Sequence, residues 1–86
     1  MSLQYLGLNE INGPLVVLDQ VSGISYDEVA ELHLEDGTER LGRVVEISGD
    51  KVVLQVFEGT KGLSLKNTKT KFLGRPMEML LSEEVL

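Results

Sequence analysis

Glycine, threonine and lysine meet in one short stretch, Gly59-Thr60-Lys61-Gly62, and these are residue types with which a loop can cradle phosphate. A phosphate loop needs Gly-x-x-x-x-Gly-Lys-Ser/Thr, with the lysine directly after the last glycine and a helix behind it. Here Leu63 follows Gly62 and no helical period succeeds it, so the pattern fails. Lys61, Lys66, Lys69, Lys71 and Arg75 form the basic cluster of the chain. Aromatics do not interleave with it, so it reads as a solvated loop rather than a polyanion site. The acid pair Glu35-Asp36 flanks a glycine turn, and Glu83-Glu84 fits the first turn of a helix. Neither pair has a partner suited to acid–base work. His33 is the single histidine, expected on the outward face of a strand opposite Arg40, with no serine or cysteine nucleophile constellation around it. One histidine and no cysteine also argue against a structural zinc site. No catalytic, cofactor-binding or metal-ligating residue is assigned.

The elements that would position any site are strands. Residues 28–58 read as three antiparallel strands joined by tight turns at Asp36-Gly37 and Gly49-Asp50. Taken as two-residue loops, the first turn pairs Leu34 with Glu39 and Leu32 with Leu41. The second pairs Ile47 with Val52, Val45 with Leu54, and Arg43 with Val56. Side chains alternate with period two, so one face collects Ala30, Leu32, Leu34, Leu41, Val45, Ile47, Val52, Leu54 and Val56. Both turns predict the same buried face on the shared middle strand.

Upstream, residues 4–11 form a first expected strand, with Gly7 marking a bulge or a close backbone approach. Asn12-Gly13-Pro14 is turn chemistry, and Leu15-Val16-Val17-Leu18 is a short β-branched strand. Residues 19–27 form a connecting loop. Ser25-Tyr26-Asp27-Glu28 matches a capping box, yet no helical period follows it, so a turn feeding the strand at Val29 is the reading. Downstream, residues 59–71 form a polar connection without obvious period, and residues 75–81 read as a last strand. Ser82 with Glu83 and Glu84 begins a helix that has no room to propagate before Leu86, a hint of truncation. The expected fold is all-β: a small closed six-stranded antiparallel β-barrel with Gly-centred hairpins over residues 1–81, followed by a helix start at 82–86. Closure would protect the sheet edges.

A chain of 86 residues allows one small domain with a modest core. Its formal charge of −6 opposes a polyanion partner, since phosphate contacts need clustered lysine and arginine. No segment has the roughly 20 apolar residues needed to span a bilayer as a helix, and no secretory signal pattern opens the chain, so a soluble intracellular protein is expected.

The outward face of the three-strand unit is less ordinary. It is expected to carry Val44, Val53 and Phe57, apolar where solvent favours polar groups. Two explanations stand open: burial under the 59–74 connection, or contact with another subunit.

Several pieces of the chain together resemble one family. They are Gly13-Pro14-Leu15, the stretch 43–58 ending in Phe57-Glu58, Gly59-Thr60-Lys61-Gly62-Leu63, and Arg75-Pro76 with Leu80-Leu81-Ser82 behind it. The chain looks like the N-terminal part of the B (non-catalytic) subunit of V-type or A-type rotary ATP synthases. The resemblance covers essentially the whole chain but only a small first part of such a subunit. It implies a six-stranded barrel that joins barrels of the catalytic A subunits in a ring on the hexameric head. The nucleotide-binding domain would follow the helix start at 82–86. ATP or ADP and magnesium belong to that parent complex, and no cofactor is expected in this fragment. The resemblance also implies a cytoplasmic location, peripheral to the membrane as part of a membrane-bound complex, without direct insertion. It favours the subunit-contact reading of Val44, Val53 and Phe57, and an isolated fragment that is a monomer or weak oligomer. The competing reading is a small nucleic-acid-binding barrel of OB or SH3 type, using the basic 61–75 loop.

Overall fold

Glycines with positive φ close the tight turns, and strands fill most of the space between them. The computed structural model describes residues 4–76. Every regular element in that range is a strand: β1 (Gln4–Leu6), β2 (Glu10–Asn12), β3 (Leu15–Leu18), β4 (Glu28–His33), β5 (Glu39–Ser48), β6 (Lys51–Val56) and β7 (Lys69–Pro76). They form one curled sheet in the order β1-β7-β4-β5-β6-β3-β2, with every pairing antiparallel. The two ends of that order, β1 and β2, are consecutive in the chain. The expected first strand is thus split at Gly7, with one half on β7 and the other on β3. Gly7 has φ +89, and a Cβ there would lie 3.0 Å from the Leu65 carbonyl oxygen, which accounts for the break and for glycine. The expected six strands are therefore seven.

The two turns of the central unit differ from each other. At Gly49-Asp50 the loop has two residues, Gly49 has φ 63, and Ile47 pairs with Val52 as the sequence predicts. Glycine with positive φ at the first loop position is the type II′ hairpin pattern. At Asp36-Gly37 the loop has three residues. The Leu34 N–H donates to the Thr38 carbonyl (2.9 Å), the Gly37 N–H donates to the Leu34 carbonyl (3.1 Å), and Gly37 has φ 92. That is the three-residue hairpin with a glycine in the left-handed region. His33, not Leu34, consequently pairs with Glu39, and Leu32 pairs with Arg40.

This shift reverses the expected faces over the first half of β5. Val44 is fully buried, whereas Leu41 and Val45, expected inside, are 43% and 37% exposed. A β-bulge then restores the parity: Val44 pairs with Leu54 and Glu46 with Val53, leaving Val45 unpaired between them. Past the bulge, Ile47 again packs against the core.

The core gathers Leu8, Val16, Leu18, Val21, Ala30, Leu32, Val44, Val52, Leu54, Val56 and Phe72 from β3 to β7, from the link between β1 and β2, and from the 19–27 loop. Tyr5 meets Phe72 edge-on, with ring centroids 5.7 Å apart. Val29, which alternation with Ala30 and Leu32 would turn outward, is also fully buried, beside a register irregularity between β4 and β7. The last strand begins earlier than expected, at Lys69. Thr68, Thr70 and Phe72 are buried, with Lys69 and Lys71 between them less so. The rest of the expected last strand and the helix start at 82–86 lie outside the described residues.

Candidate contact surface

Of the three residues expected to face a neighbour, the fold leaves two available. Val44 lies fully buried in the core, because the three-residue loop turns its half of β5 over, so it has no surface to offer. Val53 is half-buried on the outer face of β6, between Val17 of β3 and Glu46 of β5. Phe57, just beyond β6, is 47% exposed, and its N–H donates to the Leu41 carbonyl at 3.0 Å. Leu41 and Val45 take the place of Val44 on this side, and Leu15 and Val17 extend it across β3 as half-buried side chains. An outer face with aliphatic groups on three adjacent strands and an exposed phenylalanine at one end suits packing against a second protein surface. Leu41 and Val45 escape a reading from sequence because uninterrupted alternation from the two turns puts both in the core.

The chemistry-bearing residues are spread apart. His33 lies outward, with Nε2 3.3 Å from the Glu31 carboxylate and Nδ1 3.5 Å from the Glu39 carboxylate. The two acids meet different ring nitrogens, so they do not converge on one point where a metal ion could sit. Among the described residues no cluster of histidine and acids is arranged for a metal. Lys71 stands opposite Glu31 and Lys69 opposite His33 in the β4–β7 register. Glu31, Glu39 and Glu58 line an open depression with Arg40 and Leu41.

The 59–62 loop is a structural corner. The Arg40 guanidinium, at the start of β5 opposite Leu32, donates from Nη1 to the Lys61 carbonyl (2.7 Å) and toward the Gly59 carbonyl (3.4 Å). Thr60 Oγ1 donates to the Gly13 carbonyl at 2.6 Å. The threonine and the lysine carbonyl of the phosphate-loop lookalike are thus bonded to the protein itself, and turns rather than a helix follow. At the other hairpin, Asp36 Oδ1 accepts from Thr38 Oγ1 (2.7 Å) and from the Thr38 N–H (3.0 Å). The hydroxyl bond first, and the amide bond second, hold the Asp36 carboxyl below its ordinary value.

Comparison with known proteins accords with this architecture. Residues 8–74 match the ATP synthase alpha/beta family, beta-barrel domain. The chain is 51% identical over 86 residues to a V-type ATP synthase beta chain 2 of Clostridium tetani, covering all of this chain and 19% of that protein. It is also 51% identical over 84 residues to a V-type ATP synthase beta chain of Thermotoga neapolitana, covering 96% of this chain and 18% of that protein. The chain thus spans about a fifth of the length of these relatives. With the match running through β3 to β7 and across both irregularities of β5, the chain belongs to the ATP synthase alpha/beta family, as its β-barrel domain.

Proposed function

We propose that this chain is the N-terminal assembly module of a V-type ATP synthase B subunit, packing against the catalytic A subunits that flank it in a hexameric head. The observation that carries the reading is the outer face of β3, β5 and β6, where Leu41, Val45, Val53 and Phe57 are exposed or half-buried in a chain of this family. Aromatic side chains such as Phe57 are enriched in protein interfaces, and a few central anchors carry most of the binding energy while aliphatic neighbours exclude water around them. The consecutive order of β1 and β2 at opposite ends of the sheet supports a closed barrel, in which the first strand covers both edges. Closure gives the module the stiffness that an assembly ring requires. Nucleotide and magnesium belong to the remainder of the subunit, and the complex works as a peripheral head on the cytoplasmic side of a membrane.

The test is reconstitution of the head from full-length A and B subunits, with Phe57→Asp and Val53→Asp introduced singly and together in B. The expected result is loss of the hexamer by native mass spectrometry, while each variant B subunit keeps the circular dichroism of the parent. An intact hexamer from the folded double variant would overturn the contact assignment. Separately, a thermal shift of the 86-residue chain with millimolar ATP would count against the module having no nucleotide site.

A further inference from the structure

Three irregularities of the sheet meet at one corner. β5 has its extra residue at Val45, the β4–β7 register shifts between Glu28 and Ala30, and Gly74 within β7 has φ 73. Residues 25–28 bond to all three regions. Asp27, itself at φ 65, donates its N–H to the Val44 carbonyl at 2.9 Å, and its carboxylate meets Arg43 at 3.2 Å. Tyr26 directs its hydroxyl to the Ile47 carbonyl at 3.4 Å. Glu28 is only 7% exposed, and a carboxylate is held there only where hydrogen bonds replace water. Its Oε1 accepts from the Ser25 N–H at 3.0 Å and its Oε2 from the Gly74 N–H at 2.9 Å. The second bond joins residues 46 apart in sequence.

We propose that Glu28 is a clamp that ties β7 at Gly74 to the start of β4 and, through the neighbouring Asp27, to the β5 bulge. The backbone of β7 at Gly74 is then fixed by the sheet. Both oxygens of the side chain are used as acceptors, which glutamine cannot reproduce because its amide nitrogen only donates. Charge-assisted bonds to backbone N–H groups are also stronger than neutral ones. The capping-box spacing of Ser25 and Glu28 supplies this geometry without a helix. The proposal goes beyond the assembly reading and stands whether or not the outer face packs on a neighbour.

The test is amide hydrogen exchange by NMR on the parent chain, Glu28→Gln and Glu28→Ala. Exchange at both Gly74 and Ser25 is expected to accelerate roughly tenfold or more in Glu28→Ala, the loss of one bond to a charged group at each, and at one of the two at least in Glu28→Gln, which keeps a single acceptor oxygen, while Leu32 and Leu54 stay protected. Unchanged protection at Gly74 in the folded alanine variant would overturn the clamp. If the variants do not fold, the unaltered chain decides. A scalar coupling across the hydrogen bond, from the Gly74 amide nitrogen to the Glu28 carboxyl carbon, is expected. Its absence from a sharp Gly74 resonance would equally overturn the proposal.

Discussion

Val44 and Val45 are neighbours in the chain, yet Val44 is fully buried against the core and Val45, the unpaired residue of the β5 bulge, is 37% exposed. Chemically identical side chains one residue apart therefore serve opposite faces of the sheet. Val44→Ala is expected to cost about 2 kcal/mol, from lost burial plus the small cavity left behind. Val45→Ala is expected to stay within about 0.5 kcal/mol, as for ordinary surface substitutions. Urea unfolding of the two variants checks this directly; equal losses would contradict the assigned faces.

The same pair explains what could be read from the residues and what could not. The three strands of residues 28–58, the Gly49-Asp50 turn and the inward placement of Ala30, Leu32, Val52, Leu54 and Val56 follow from turn chemistry and period-two alternation, which act locally. The face of β5 does not. Asp36-Gly37 is compatible with a two-residue or a three-residue loop, and the choice shifts every partner on β5 by one. The bulge at Val45 then reverses the shift, so Ile47 and Val52 pair as if neither irregularity existed. Two changes of parity cancelled, and the agreement between the turns concealed both. A bulge made of valines carries no glycine or proline to mark it. The outward placement of Val53 and Phe57 is legible because β6 has no such break, whereas the inward placement of Val44 is not. Thr68, Thr70 and Phe72 did alternate with Lys69 and Lys71, a strand signal masked by their polar character.

Gly42 is buried and pairs with Val56 of β6. A Cβ added there would lie 2.9 Å from the Gln55 carbonyl oxygen and 3.6 Å from Leu32 Cδ1. The nearer atom belongs to the backbone of a central strand and cannot swing aside. Gly42→Ala is expected to destabilise by about 1–3 kcal/mol through overpacking. The midpoint of chemical unfolding should fall with an unchanged slope, and an unaltered midpoint would place β6 further away.

Asp36 is exposed at the hairpin, so its hydrogen bonds to Thr38 give a directional prediction. Its folded carboxyl titrates below the ordinary 3.8, which means that the fold favours the ionised form. The stabilisation is therefore present above that ordinary value and is lost as pH falls through the lower, folded one. Thr38→Val removes the hydroxyl donor, the larger cause, and keeps the amide. Carboxyl-carbon NMR should show Asp36 titrating closer to its ordinary value in this variant. An unmoved titration would deny the Thr38 hydroxyl its role.

Arg40 joins the start of β5 to the loop that resembles a phosphate site. Its guanidinium bonds the Lys61 carbonyl at 2.7 Å, approaches the Gly59 carbonyl at 3.4 Å, and has Nε 3.8 Å from Glu58. Two carbonyls addressed by one planar group favour arginine, since the lysine ammonium is a point donor on a flexible stem. Arg40→Ala is expected to cost about 1.5 kcal/mol, the lower end for a bond to a charged group, because the side chain is partly shielded. Arg40→Lys is expected to recover little of that loss. The local consequence is separable from the global one. The Leu63 N–H, which donates to the Thr60 carbonyl within the loop, should exchange faster in both variants, while Val52 and Leu54 in β6 keep their protection. Equal protection at Leu63 in all three proteins would mean that the bond from Thr60 Oγ1 to the Gly13 carbonyl is enough to hold the loop.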